Sequence, residues 1–462
     1  MNLQITFLLI LTGLVRCLPL EAEEKPSQYA FHDLLDLPQP DPNLVFGDRI
    51  RRTMNLLSTS TANRPNKVKI LFYGQSITRQ NYSREIIEAK LRSEYPHAQL
   101  EVFNTAIGGY QAPRSLLTMH HTLIPHQPDL VVFHVYGGAS DGTYEEILKK
   151  IRKETTAELI CVTHHLDDYG PEREAVREEE SQVRRELAER YGAELIEVRK
   201  DWEKYLNQHH LAIPDLLSDS IHHNAHGGEL WGALQARHFE VQPANPATWQ
   251  DRITRIDLRN STEGKLGSVA FDTAEWTKTK TGLQSQKAGA SLKLNFEGTR
   301  VDIIAHSSEG AADVLIDGKR PSEISETWSA TLPSKTPIDY RPAIMRVDLG
   351  GKPVAETWTL TVDSVNETGS EFSYTLRGSV SGDQGRGGSN EVFRSRNGIV
   401  EFRPEWFTLE HAVQIKKRPI PVPFDVTWEV YPGAPDEIRF SPDAAESNPS
   451  GQRTLIQKLP NG

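Results

Sequence analysis

From residue 66 to 242 the chain alternates short apolar runs with longer amphipathic ones. "KVKILFYG", "HAQLEVFNTA", "DLVVFHVY", "AELICVTHH" and "AELIEV" read as strands. "SREIIEAKLRSEY", "RSLLTMHHTLI", "TYEEILKKIRKET", "PEREAVREEESQVRRELAERYG", "RKDWEKYLNQ" and "HGGELWGALQARHF" read as helices between and after them. Short β-rich runs separated by amphipathic helices predict a parallel sheet covered on both faces, an α/β unit of three layers. In such a sheet, ligands bind beyond the carboxyl ends of the strands. The mixed charges of residues 172–190 recur at helical spacing and predict a solvated helix face.

The pattern changes near residue 243. "ANPATWQDR" reads as a linker, and beyond it come period-two runs such as "SLKLNFEGTRVDIIAH", "ADVLIDGK", "TWTLTVDSV" and "FDVTWEVY". Alternation punctuated by Gly, Asp and Asn predicts an antiparallel β-sandwich over 243–462. "SGDQGRGGSN", residues 381–390, reads as a flexible loop by composition. Residues 23–65 are polar and Pro-rich, a leader that wraps the first domain.

The first 22 residues contain an apolar run, Ile5 to Val15, too short to span a bilayer. With Ala22 as a cleavage point they read as a secretory signal, so a secreted or periplasmic location is expected. Removal of that segment leaves Cys161 as the one cysteine of the mature chain, with no internal disulfide. The 462 residues carry a formal charge of −11, which argues against nucleic acid and anionic membrane surfaces as main partners. No other stretch is apolar enough for a membrane span. The oligomeric state is not legible.

Three predicted strand ends carry candidate chemistry. The first ends in Gly74-Gln75-Ser76, the second in "NTAIGGYQAPRS", the third in "VYGGASDGTYEE"; "LLSDSIHHNAHGGELWG" precedes the last helix. A serine hydroxyl becomes a nucleophile when a base takes its proton. Backbone N–H groups at a helix start near Ser76 can stabilise an oxyanion. His222 suits proton transfer near neutral pH, and Asp219, three residues earlier, can fix its tautomer. Gly109 lets a backbone N–H approach a substrate closely.

The ordered set Gly-x-Ser-Ile-Thr, Asn-x-Ala-x-x-Gly and Asp-x-x-His-x-Asn-x-x-Gly resembles the SGNH/GDSL hydrolase family over roughly residues 66–240. The resemblance implies a flavodoxin-like three-layer fold and a Ser-His-Asp mechanism that needs no cofactor and no metal. It implies Ser76 as nucleophile, His222 as base and Asp219 as its orienting acid, with the N–H groups of Ser76 and Gly109 as oxyanion donors. Two positions differ from the family's pattern. Gln75 stands where Asp is usual, and in the third segment, Gly138-Ala139-Ser140-Asp141, Ser140 stands near the place of the asparagine that donates the third oxyanion bond. Gln75, Arg79, Tyr110, Arg114 and Asp141 are candidate substrate contacts; either arginine can bind a carboxylate or sulfate bidentately. "LNFEGTRVDIIAHSSEGAADVLIDGK" loosely resembles the jelly-roll modules of some carbohydrate esterases.

The leading expectation is an esterase that removes acetyl or similar groups from a carbohydrate or polysaccharide. A glycoside hydrolase on the same fold would instead pair Asp219 with Asp141 or Glu145. A glycan-binding protein with a degenerate site is the non-enzymatic alternative. His222, His223 and His226 also form a possible metal cluster, since the first and last have i, i+4 spacing.

Overall fold

The computed structural model describes residues 36–243, 256–258, 265–266, 269–280, 282–298, 300–304, 310–440 and 452–456. The expected signal segment 1–22 and the "ANPATWQDR" linker lie outside the described residues.

The first unit is built on five parallel strands: β1 (Lys67–Gly74), β2 (Gln99–Asn104), β3 (Leu130–His134), β4 (Glu158–Val162) and β5 (Glu194–Ile196). Their order is β2-β1-β3-β4-β5. This is the flavodoxin-like order, whose reversal point lies between β1 and β3. Every residue of β3 and β4 is buried, which is why those strands read as continuous apolar runs. Side chains still alternate between the two faces. Ile70, Phe72, Val132 and Ile160 enter one core, while Leu71, Tyr73, Val131, Phe133 and Cys161 enter the other.

Helices cover both faces. Helices α1 (Arg51–Ser58), α3 (Tyr82–Glu94), α7 (Val198–His209) and α8 (Ala225–Ala236) supply Met54, Ile87, Trp202 and Leu230 to the first core. Helices α4 (Ala112–Thr122), α5 (Thr143–Glu154) and α6 (Pro171–Arg190) supply Met119, Ile147 and Leu187 to the second. The result is a three-layer α/β/α unit. The part of the leader that is described does more than wrap it. Ile50, Met54 and Leu57 are core residues, and the buried Glu158 carboxylate accepts the Arg52 N–H at 2.9 Å and the Thr53 N–H at 2.7 Å.

Helix α6 corrects the expectation of a simple solvated face. Arg177, Glu180 and Arg184 are buried on its inner side. Arg184 donates to the carbonyls of Val135 and Glu180 and lies over the Tyr144 ring, so its charge is solvated by protein groups.

The second unit is antiparallel. Its main sheet runs Trp328–Ala330, Phe424–Pro432, Glu356–Val365, Phe372–Gly378, Gly382–Gly388. A smaller sheet of Asp348–Leu349, Val400–Phe402 and Phe393–Arg394 shares its core, in which Trp358 stacks on Trp428 at 6.3 Å. This is the expected β-sandwich. Trp328, Trp358, Trp406 and Trp428 are core residues here. The "SGDQGRGGSN" segment is an edge strand and not a loop. Its glycines admit the neighbouring rings: a Cβ on Gly387 would collide with Tyr374 and Phe393.

Helix α4 joins the two units. Met119 faces the parallel sheet, while Leu117 packs against the sandwich core. His121 bridges the units with both ring nitrogens. Its Nε2 accepts the Val347 N–H at 3.0 Å, so Nδ1 carries the proton donated to the Ala330 carbonyl at 2.9 Å. No helix among the described residues is long and apolar enough to cross a membrane.

If the leader is part of the core, Met54→Ala lowers the unfolding free energy by about 2–5 kcal/mol, the usual cost of a buried cavity. Urea denaturation followed by far-UV circular dichroism measures this. An unchanged midpoint would show that α1 is dispensable.

Candidate active site

β1 ends at Gly74, and the chain turns through Gln75 into a one-turn helix, α2 (Ser76–Arg79). Arg79 N–H donates to the Gln75 carbonyl at 2.8 Å, and Gln80 N–H to that of Ser76 at 3.1 Å. Asn104, at the end of β2, braces this turn. Its Nδ2 donates to the Thr78 carbonyl at 2.8 Å and to Asn81 Oδ1 at 2.6 Å, while its Oδ1 accepts the Ala106 N–H at 3.1 Å. Ile107 N–H donates to the Gly74 carbonyl at 3.1 Å. These bonds set Gly108 beside the serine: a Cβ on Gly108 would lie 3.7 Å from Ser76 Cβ. Gly109 follows with φ of +79°, a left-handed conformation that favours glycine. Among the described residues, neither the Ser76 N–H nor the Gly109 N–H has an acceptor.

The segment before α8 brings Asp219 to His222. Asp219 Oδ2 is 2.7 Å from His222 Nδ1, and Oδ1 accepts the N–H groups of Ile221 at 2.9 Å and His222 at 2.8 Å. Partial burial raises the Asp219 pKa, but the two N–H groups and the imidazole outweigh it and hold the carboxyl at about 2. The carboxylate is therefore ionised at neutral pH. With the proton on Nδ1, His222 Nε2 is left as the basic nitrogen.

Gln80 ties this segment to the serine turn. Its Nε2 donates to the His223 carbonyl at 2.9 Å, and its Oε1 accepts the His223 N–H at 3.3 Å. One amide thus grips, from the end of the serine turn, the residue after His222. Among the described residues, Ser76 Oγ makes no hydrogen bond, to His222 or to any other group. Such bonds are often long in unliganded sites and tighten with substrate.

The fold and the order of these segments answer the expectation from the sequence. The α/β unit has the flavodoxin-like three-layer fold that the resemblance implies. No protein-family model matches the chain, and no curated protein does. Solved structures do match. An acetyl xylan esterase, AlAXEase, is 24% identical over 36% of this chain and 97% of its own, with a TM-score of 0.31. The acetylxylan esterase Axe2 from Geobacillus stearothermophilus is 17% identical over 39% and 98%, with a TM-score of 0.34. A structure described as a GDSL-like lipase from Parabacteroides merdae is 15% identical over 39% and 98%, with a TM-score of 0.33.

The other candidates are placed as follows. Gln75 is nearly buried, and Arg79 is exposed with its guanidinium 4.1 Å from the Tyr340 ring centre. Tyr110 is fully buried and has no face free for a sugar to stack on. Arg114 turns away to the sandwich, where its Nη1 meets His411 Nε2 at 2.9 Å. Ser140 is exposed and has no hydrogen-bond partner among the described residues. Asp141 Oδ1 caps the next helix, accepting from Thr143 N–H at 2.9 Å and Thr143 Oγ1 at 2.7 Å. Glu145 is engaged by the Tyr191 hydroxyl at 2.7 Å and by Arg190 at 3.0 Å. The three histidines of the possible metal cluster diverge: His222 meets Asp219, His226 Nε2 meets the Tyr205 hydroxyl at 2.7 Å, and His223 is buried between Trp202 and Trp231.

Three features were missed from the sequence. One is the Gln80 clamp, foreshadowed by nothing more than its closeness to Ser76. Another is a pair of sandwich residues, Tyr340 and Arg341, that reach Gly108. The third is a buried polar network behind the site. Glu180 Oε1 accepts the Gly137 N–H at 2.8 Å and so fixes the loop after β3. Glu180 Oε2 lies 2.8 Å from His164 Nε2 and 3.1 Å from Arg177 Nη1, and Arg177 Nε donates to Asp167 at 2.9 Å. His134 Nε2 and His164 Nδ1 stand 3.0 Å apart and share one proton.

Burial holds His134, His164 and His223 well below the ordinary imidazole range, and His165 at about 4. Above pH about 6.5 these imidazoles are neutral in both folded and unfolded chains, and their linkage is silent. Below it the unfolded chain takes up protons that the fold refuses, so stability falls as pH drops toward about 4. Each such histidine contributes a slope of up to about 1.4 kcal/mol per pH unit. Urea midpoints between pH 7.5 and 5 should decline steeply. A flat profile would mean that the cluster accepts protons in the fold.

Proposed function

We propose that this protein is an ester hydrolase of the Ser-His-Asp type that removes acetyl or similar groups from a carbohydrate. The observation that carries the reading is the Asp219–His222 pair, held by the Gln80 clamp to the turn that bears Ser76. His222 Nε2 takes the Ser76 hydroxyl proton as Oγ bonds to the acyl carbon. The carbonyl oxygen gains negative charge and is met by the N–H groups of Ser76 and Gly109. Collapse expels the sugar alcohol, which takes the proton from His222. Water, deprotonated by the same imidazole, then releases the acid and restores Ser76.

Support for a sugar substrate comes from the open placement of the pair, with the Asp219 and His222 side chains 56% and 35% exposed, beside the exposed Arg79. A solvent-facing pair suits a large glycan better than a buried lipid tail. We also place the protein outside the cytoplasm, on the character of its first 22 residues. Cleavage near Ala22 in exported protein, read by N-terminal sequencing, is the matching test.

Ser76→Ala should lower acetate release from acetylated xylan by at least about 10³-fold with the fold intact. Full activity in that variant would remove Ser76 from the mechanism. Gln80→Ala keeps both Ser76 and His222 but should unlatch one from the other. A fall in kcat of about 10–100-fold is expected on 4-nitrophenyl acetate, as for a misplacement near 1 Å. An unchanged kcat would show that the clamp does not set the geometry.

A further inference from the structure

The peptide joining Gly108 to Gly109 is gripped from a part of the chain more than two hundred residues away. Its carbonyl oxygen accepts the Tyr340 hydroxyl at 3.1 Å and Arg341 Nε at 2.7 Å. A carbonyl has two lone pairs, and both are engaged. The donors sit on a braced loop of the β-sandwich. Arg341 is buried, and its Nη1 meets Asp339 Oδ2 at 2.7 Å. Asp339 Oδ1 accepts the Tyr340 N–H at 2.9 Å, and the Asp339 N–H donates to Thr336 Oγ1 at 3.1 Å. Ala343 N–H closes the loop onto the Ser334 carbonyl at 2.9 Å.

A trans peptide is planar, so the Gly109 N–H points opposite to the Gly108 carbonyl. Fixing the oxygen therefore aims the N–H. Donors on the oxygen also polarise the amide and make the N–H a stronger donor, the more so when one of them is a buried cation. The fit is tight: a Cβ on Gly108 would collide with the Tyr340 hydroxyl, and one on Gly109 would press on Arg341 Nη2 at 2.7 Å.

We propose that Tyr340 and Arg341 are positioning residues of the oxyanion hole, through which the β-sandwich sets the aim and strength of the Gly109 N–H. The inference rests on the esterase reading above. It also gives the chain a source of oxyanion stabilisation that compensates for Ser140 in the place of an asparagine. On this account the second unit is a working part of the catalytic centre.

Tyr340→Phe deletes one donor and keeps the ring under Arg79. Arg341→Lys keeps the charge and loses the Nε bond. On 4-nitrophenyl acetate, kcat should fall about 3–10-fold in the first and about 10–100-fold in the second, with KM within about two-fold of the wild type. The rate constant for inactivation by a fluorophosphonate should fall in parallel, because its phosphoryl oxygen occupies the same hole. The thermal midpoint of Tyr340→Phe should stay within about 2 °C. If Arg341→Lys does not fold, Tyr340→Phe decides alone. Wild-type kcat and inactivation rate in the folded variants would overturn the positioning role while leaving the esterase reading intact. A raised KM at constant kcat would overturn it too, making these residues plain substrate contacts. A wild type that neither hydrolyses the ester nor reacts with the fluorophosphonate would overturn both.

Discussion

The hydrogen bond between the Asp219 carboxylate and the His222 ring is the interaction on which the rest of the site depends. An imidazole on an irregular segment has two tautomers and free rotation about two bonds. A carboxylate 2.7 Å from Nδ1 selects one tautomer and one orientation. That carboxylate is fixed in turn by two backbone N–H groups of its own turn. The Gln80 amide then binds this turn to the turn after β1, so His222 and Ser76 are linked by a short chain of hydrogen bonds and not by the distant sheet alone.

The sheet contributes what the turns cannot. Parallel strands buried on both faces form a stiff floor, and the reversal of strand order beside β1 opens a crevice at its carboxyl end. Beneath the neighbouring loop, Glu180 and the buried histidines form a low-dielectric polar layer. The Glu180, Arg177 and Asp167 charges there face one another, which offsets part of the cost of burying them. The sandwich closes the arrangement from the side. Helix α4 is common to both cores, and the Tyr340–Arg341 loop ends on the peptide beside Ser76.

Much of the α/β unit was legible because period and composition agree. β3 and β4 are apolar runs save for His134 and Glu158 at their ends, and the helices between strands carry amphipathic stripes. The pairing of Asp219 with His222 was legible for a local reason, since three residues of separation suffice for a single turn. Long-range features were not. Nothing in "IDYRPA" marks Tyr340 and Arg341 as partners of a glycine in the other unit. The charged inner face of α6 escaped notice because charge at helical spacing looks the same whether water or buried partners satisfy it. Tyr110 and Arg114 follow Gly109 closely, yet the helix turn carries them toward the sandwich and away from solvent. The glycine-rich segment near 385 looked like a loop because the rings that require those glycines lie elsewhere in the chain.

The most direct test is to map, by peptide mass spectrometry, the residue modified when the intact protein reacts with a fluorophosphonate. One adduct is expected, on Ser76, and it should be lost when His222 is replaced by Ala. Modification at another residue, or an adduct on Ser76 that forms as fast without His222, would contradict the claim that this imidazole activates this hydroxyl.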